Sequence, residues 1–320
     1  MAEAVGLGRS VRRRSSPNPW VGCVVVPDGG GPAFEGATEP PGGRHAEAVA
    51  LALAGEAARG ATVYVSLEPC AHHGRTPPCA DALVAAGVAR VVVATEDPDL
   101  RVSGRGIERL RAAGIDVEVG VGRAGAEELL APYLKQRRTG RPWVVLKLAA
   151  TLDGRTAAPD GTSRWITGPA ARADVHALRA ESDAVAVGAG TVRSDDPSLT
   201  VRDVEGRDPL RVVLGRVPPG AAVAPALEHV GPLEDLLDEL GRREVLQLLV
   251  EGGPEVAHSF HAAGLVDRYV VYVAPALLGG DDGSPLLRGP GAPSMADVWR
   301  GRLGEVRVLG GDVRIDVLAR

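Results

Sequence analysis

Apolar residues occur in short runs separated by amphipathic stretches and glycine-bearing turns. Val21–Val26, Ala61–Leu67, Val88–Thr95 and Ile115–Val119 are brief and rich in β-branched residues, which predicts strands. Between and after them His45–Arg59, Cys79–Ala86, Gly106–Ala113 and Ala124–Arg138 predict helices, with Gly87 and Gly114 placed to close two of them. This alternation predicts an α/β layer fold with parallel pairing. The polar segment Gln136–Pro142, carrying Gly and Pro, breaks the pattern near the midpoint and predicts a boundary, with domains at 1–138 and 139–320.

The second half repeats the style without repeating the sequence. Strands are predicted at Trp143–Thr151, Ala184–Gly188, Leu210–Leu214, Val245–Val250 and Arg268–Val273. Helices are predicted at Pro169–Glu181, Pro232–Leu240 and Pro254–Ala263. Glu305–Leu309 and Asp312–Leu318 read as a hairpin around Gly310-Gly311. Two α/β domains therefore follow each other.

The length of 320 residues agrees with two domains. A net charge of −5 and an aromatic content of 3% argue against nucleic acid as a partner. No apolar run reaches membrane-spanning length, and the first residues lack the apolar stretch of a secretory signal, so a cytoplasmic protein is expected. The three cysteines, Cys23, Cys70 and Cys79, are an odd number, which points to buried thiols or metal ligands rather than a disulfide framework.

One cluster carries specific chemistry. His45-Ala46-Glu47 opens a predicted helix, Pro69-Cys70 follows a strand, and Cys79 opens the next helix. One imidazole and two thiolates are the protein ligands of a catalytic zinc site, which keeps a position for water. Glu47 is two residues from His45, off the same helical stripe, and suits a proton carrier better than a ligand. Cys23 lies inside an apolar strand and reads as core. His72 and His73, between the two cysteines, are open to reading as spare ligands, surface residues or substrate contacts. In the second half, Gly188–Thr191 and Glu251–Pro254 both follow strands, and with Arg179 and Arg202 they suit a phosphorylated ligand.

The residues PCAHHGRTPPC (Pro69–Cys79), with SPNPWVGCVVV, GGRHAEAVAL and the stretch Glu96–Val117 in the same order, resemble the bifunctional riboflavin-biosynthesis deaminase–reductases. KLAATLDGRTA, SRWITGPAAR, GAGTVRSDDPSLTVR, LVEGGPEVAHSF and AGLVDRYVVYVAPALLGG resemble the reductase half of that family. The resemblance implies a cytidine-deaminase-like three-layer α/β/α domain followed by a dihydrofolate-reductase-like α/β domain. It implies zinc on His45, Cys70 and Cys79, with Glu47 as the proton carrier, and NADPH as the second cofactor. Asn18 and His72 would meet the pyrimidine, with the Asp97–Asp99 turn nearby; this chain has Asp99 where the family usually has Asn. Lys147, Ser163, Arg179, Leu199, Arg202 and Glu251 fall at substrate positions of the reductase. Ala149, Trp165, Thr191, Asp195, Gly253, Pro254, Glu255, Val256, Ala257, His258 and Ser259 fall at NADPH positions, although Trp165 is equally open to a core reading. Lys147 and Asp195 are the candidates for polar or proton-relay help. The implied substrate is a phosphorylated pyrimidine, a diaminopyrimidinone ribosyl phosphate, and a homo-oligomer is expected. Gly215-Arg216 stands where the family commonly has Asp-Ser, and Val217–Glu244 is short, as if one strand were missing. The competing reading keeps the deaminase and gives the C-terminal half an assembly role.

Overall fold

A computed structural model describes residues 1–71, 77–99 and 102–320. The chain divides into two compact units, Met1–Arg141 and Pro142–Arg320.

In the first unit α1 (Ala2–Ser10) precedes β1 (Gly22–Val26), β2 (Phe34–Ala37), α2 (Ala46–Ala54), β3 (Thr62–Val65), α3 (Cys79–Ala86), β4 (Arg90–Val93), α4 (Arg105–Ala112), β5 (Asp116–Val119) and α5 (Arg123–Thr139). The sheet order is β2-β1-β3-β4-β5. β1 runs antiparallel to both neighbours, and β3, β4 and β5 are parallel. Two glycines show how helices cover both faces. A Cβ on Gly22 would fall 2.0 Å from the Ala4 carbonyl oxygen, and one on Gly36 would fall 2.2 Å from that of Ala46. Gly36 is the register partner of Cys23, so Gly22 and Gly36 face opposite sides of the sheet. Thus α1 lies on one face and α2 on the other, giving three layers.

The helix expected over His45–Arg59 is α-helical only to Ala54. Gly55 turns to φ 52°, and Gly55–Ala58 continues as a 3₁₀ turn. Gly87 closes α3 in the left-handed conformation, as its position predicts.

The second unit contains β6 (Trp143–Thr151), β7 (Arg155–Ala157), α6 (Pro169–Ala180), β8 (Ala184–Gly188), α7 (Ala189–Asp195), β9 (Leu210–Leu214), β10 (Leu227–His229) and α8 (Leu233–Arg242). It continues with β11 (Gln247–Val250), α9 (Pro254–Ala262), β12 (Arg268–Ala274), β13 (Ser284–Pro285), β14 (Arg302–Leu309) and β15 (Asp312–Leu318). The main sheet is ordered β10-β9-β8-β11-β6-β12-β15-β14. It is parallel from β10 to β12 and antiparallel across β12, β15 and β14. The central strands alternate between two cores. Val144, Leu146, Leu248 and Val250 pack in one with Leu236, Leu240 and Phe260. Val145, Val185, Val187 and Leu249 pack in the other with Ala171 and Leu178. Strands buried on both faces explain the continuous apolar runs in the sequence. The segment Val217–Glu244, short enough to suggest a missing strand, keeps one, β10, paired in parallel with β9.

Candidate active sites

The first site forms where β3, α2 and α3 expose their ends. His45 is the N-cap residue of α2, and Cys79 is the first residue of α3. The His45 Nδ1 atom lies 3.6 Å from Cys70 Sγ and 3.3 Å from Cys79 Sγ. All three ligand atoms lie within 4.8 Å of one another. Zinc bonds of about 2.0–2.3 Å in a tetrahedron place neighbouring donors at such separations, so this donor set fits a zinc ion. The Cys79 amide donates to Cys70 Sγ at 3.3 Å. A hydrogen bond from the Cys79 side chain, and after it one from His45, draws the Cys70 thiol down to about 4. The same contact pushes the Cys79 thiol up, so without a cation the two thiols share one negative charge. A divalent cation removes that competition by deprotonating both.

Glu47 lies beside the ligands, 4% exposed, on the first turn of α2. Burial, and after it the neighbouring Cys70, pushes its carboxyl up to about 7. His45, Glu47 and Cys70 line a cavity of about 170 Å³ together with Asn18, Asp97 and Asp99. Tyr133 and Arg137, on α5, close another part of its wall. The Tyr133 hydroxyl donates to both Asp97 carboxylate oxygens, at 3.1 and 3.0 Å. Sequence reasoning missed Glu68, Tyr133 and Arg137 as lining residues. Glu68, directly before Pro69-Cys70, was legible as a charge ending an apolar strand. Tyr133 and Arg137 lie on one face of a helix far along the chain, and no local pattern joins them to the metal ligands. His72 lies outside the described residues.

Replacing Cys70 with Ser leaves one imidazole and one thiolate. Bound zinc should fall from about one ion per chain to well below that, read by metal analysis after dialysis. Retention of full zinc would remove Cys70 from the ligand set.

The second site lies where β6, β8 and β11 of the C-terminal unit end. Arg179 of α6 grips Glu251 through two parallel bonds, Nε to Oε1 at 2.6 Å and a terminal nitrogen to Oε2 at 2.9 Å. The side chains are 13% and 8% exposed. Lys147 of β6 joins them. Burial lowers its pKa, opposed by the charge of Glu251. Arg202 is exposed; its backbone N–H donates to His176 Nδ1 at 3.1 Å, and its guanidinium reaches Ser198 Oγ at 3.4 Å. Leu199 is 2% exposed and sits at φ 54°, with its side chain in the core. Ser163 and Ala149 are half-buried.

The NADPH-position residues separate by the geometry of helix starts. Gly253 caps α9, and a Cβ there would lie 3.6 Å from the Thr191 hydroxyl of α7, so these two helix starts approach each other. Gly188 and Gly252 both press on Val256; a Cβ would fall 2.8 and 2.4 Å from its methyl groups. Pro254 is the first residue of α9, and Glu255 is exposed. Ala257 is fully enclosed in the core, so its side chain is closed to a cofactor. His258 is half-buried, and the Ser259 hydroxyl bonds back to the Glu255 carbonyl at 2.9 Å. Six successive helical residues, Pro254–Ser259, cannot turn every side chain to one ligand. Gly188–Thr191 is a strand-to-helix junction rather than an open loop, since α7 starts at Ala189. Trp165 is 69% exposed, with the Arg172 guanidinium 4.5 Å from its ring centre, which settles it as a surface residue. Asp195 is exposed at the end of α7, and its carbonyl accepts from Arg164 at 3.0 Å. Arg216 pairs with Glu228 of β10 at 2.9 Å.

A three-layer domain with a His/Cys/Cys metal centre and a dihydrofolate-reductase-like domain define a bifunctional enzyme, a zinc-dependent pyrimidine deaminase joined to an NADPH-dependent reductase. Residues 1–95 match the cytidine and deoxycytidylate deaminase zinc-binding region, and residues 142–315 match the RibD C-terminal domain. The chain belongs to the RibD family of riboflavin-biosynthesis proteins. It is 44% identical to the riboflavin biosynthesis protein RibD of Escherichia coli K12, over 98% of this chain and 96% of that one. It is 42% identical to the RibD of Mycobacterium tuberculosis H37Rv, over 99% and 97%. The structure of RibD from Acinetobacter baumannii superposes with a TM-score of 0.93 at 40% identity, covering 100% of this chain and 97% of that one. A Thermotoga maritima protein described as a diaminohydroxyphosphoribosylaminopyrimidine deaminase/5-amino-6-(5-phosphoribosylamino)uracil reductase superposes at 0.88 and 33% identity, with the same coverage. Among the described residues no helix is long and apolar enough to cross a membrane.

Proposed function

We propose that the N-terminal unit hydrolyses the amino group from 2,5-diamino-6-ribosylamino-4(3H)-pyrimidinone 5′-phosphate. The C-terminal unit then reduces the ribosyl chain, giving 5-amino-6-ribitylaminouracil 5′-phosphate. The observation that carries this reading is the meeting of His45, Cys70 and Cys79 beside a buried Glu47 at a cavity of small-molecule size. The activity named for the Thermotoga maritima relative supports the choice of substrate.

His45, Cys70 and Cys79 would hold a zinc ion, which would supply the Lewis acidity that makes water nucleophilic near neutral pH. Glu47 takes a proton from that water as its oxygen bonds to the amino-bearing ring carbon, and passes it to the ring nitrogen. A second proton, from the new hydroxyl, goes to the leaving nitrogen through the same carboxylate. The carbon–nitrogen bond then breaks, the carbonyl forms and ammonia departs. Asn18 and the Asp97–Asp99 turn hold the ring, and His72 is assigned to the same substrate.

NADPH bound in the reductase would supply a hydride to the sugar C1 carbon; the bond from C1 to the ring oxygen breaks and the released oxygen takes a proton, with Lys147 and Asp195 the candidates to relay it. Arg179, Glu251 and Lys147 form a prearranged charged wall for the ribosyl phosphate, with Ser163, Leu199 and Arg202 beside it. The starts of α7 and α9, from Thr191 and Gly253, bind the cofactor, with Ala149, Trp165 and Asp195 at its edges. The chain works in the cytoplasm as a homo-oligomer, with neither nucleic acid nor membrane as a partner. The net charge of −5 supports the absence of nucleic acid. The edge strand β14, which exposes Leu303, Val306 and Val308, supports self-association.

The test is to give pure protein the diaminopyrimidinone ribosyl phosphate and to follow ammonia and NADPH separately. Ammonia should appear without NADPH, and NADPH oxidation should require prior deamination. Lys147→Ala should impair NADPH oxidation and leave ammonia release unchanged; a parallel fall of both would overturn the assignment of separate sites.

A further inference from the structure

Glu68 is 3% exposed and carries a carboxylate that no step above uses. Among the described residues its carboxylate accepts from four backbone N–H groups, all later in the chain. Oε2 accepts from Asp97 at 3.2 Å and from Gly104 at 3.0 Å. Oε1 accepts from Gly106 at 2.9 Å and from Ile107 at 3.3 Å. Gly104 is the N-cap residue of α4 and has no side chain to cap the helix, so Glu68 caps it from another part of the chain. The same approach is fixed from the other side. A Cβ on Gly106 would fall 1.9 Å from the Pro69 carbonyl oxygen, so only glycine lets the start of α4 press against residues 68–69. The Glu68 amide also donates to the Thr95 carbonyl at 3.0 Å.

The two segments thus tied have different duties. Cys70, two residues past Glu68, is a metal ligand. Asp97, the first of the four donors, and Asp99 and Val102, between the first and the second, line the cavity. We propose that Glu68 is a positioning residue of the deaminase, holding Asp97 and the start of α4, and with them the cavity wall at Asp97, Asp99 and Val102 that meets the pyrimidine, in register with Cys70. The inference rests on the deaminase reading above, and it concerns substrate binding rather than metal binding.

The experiment is steady-state deamination by Glu68→Gln in the full zinc-loaded chain, beside wild type. The amide is isosteric, yet one of its ends donates, so two of the four N–H groups face a donor. KM for the diaminopyrimidinone ribosyl phosphate should rise about tenfold or more, the scale of losing hydrogen bonds to a charged acceptor. Zinc content and NADPH oxidation should match wild type, and kcat should stay within about threefold. A KM within about twofold of wild type overturns the proposal. So does a loss of zinc with an equal loss of kcat, since Glu68 would then serve the metal loop. Amide exchange in the wild-type protein tests it without a variant. The N–H groups of Gly104, Gly106 and Ile107 should exchange as slowly as those of β4, and exchange at surface-loop rates overturns the proposal. Absence of ammonia release by wild type would instead overturn the deaminase reading itself, leaving the exchange result to stand alone.

Discussion

Glu47→Gln should keep its zinc and release ammonia about 10²–10⁴-fold more slowly, the range that general acid–base help supplies. The amide fills the same volume in a site where the carboxylate is 4% exposed, so no bulk water enters to replace the lost base. His45, Cys70 and Cys79 keep their mutual geometry, which the substitution does not touch. What disappears is a group that can take a proton and give it back. Burial and Cys70 push that carboxyl up to about 7, and a bound dication draws it back toward the ionised form that accepts the proton of water. Metal analysis, ammonia release and NADPH oxidation of the deaminated intermediate separate the effects. Zinc and reductase turnover should equal wild type. Ammonia release within about tenfold of wild type would take the proton-carrier role from Glu47.

How much of this site was legible depended on how local its signals are. His45, Glu47, Cys70 and Cys79 carry rare chemistry at fixed spacing, and their types alone suggest the metal. Strands β6, β8 and β9 were readable to the residue because both faces are buried and the apolar run has sharp ends. The elements α1 and β2 left little local pattern, because Gly8 in α1 and Gly36 in β2 weaken propensity at the crossings that need them. A Cβ on Gly8 would fall 2.4 Å from the Trp20 carbonyl oxygen, so close packing removes the side chain that would mark the helix. The capping of α4 by Glu68 was also hidden. The donors lie 29 to 39 positions away along the chain, and a helix capped from outside carries no local cap signature. In the reductase half, the glycine turns point to a candidate site, but the turn of the helix decides which side chains can face it. That is why Ala257 lies in the core while Gly253 sits at the helix mouth.

Arg179→Ala should lower reductase turnover about 10²-fold, the scale on which a misplaced bound group costs rate, and should leave ammonia release intact. It should also destabilise the C-terminal unit by about 3 kcal/mol at neutral pH, because it strands a carboxylate that is 8% exposed. The pH dependence identifies the cause. Burial raises the pKa of Glu251, but the charge and hydrogen bonds of Arg179, with Lys147 behind them, outweigh it and hold the pKa below the ordinary value. In wild type this carboxylate therefore contributes stability above the ordinary carboxylate pKa of about 4.3, and the contribution is lost as pH falls through the depressed folded value. Without Arg179, burial dominates and the folded pKa moves above the unfolded one. The penalty is then greatest above that raised value and shrinks as acid protonates Glu251. Urea unfolding of wild type and variant at about pH 7.5 and pH 4.5 should show the gap narrowing on acidification. Arg179→Lys, which keeps the charge without the planar fork, should recover part of the stability and little of the turnover. A gap of equal size at both pH values would mean that lost packing, not the stranded charge, sets the cost.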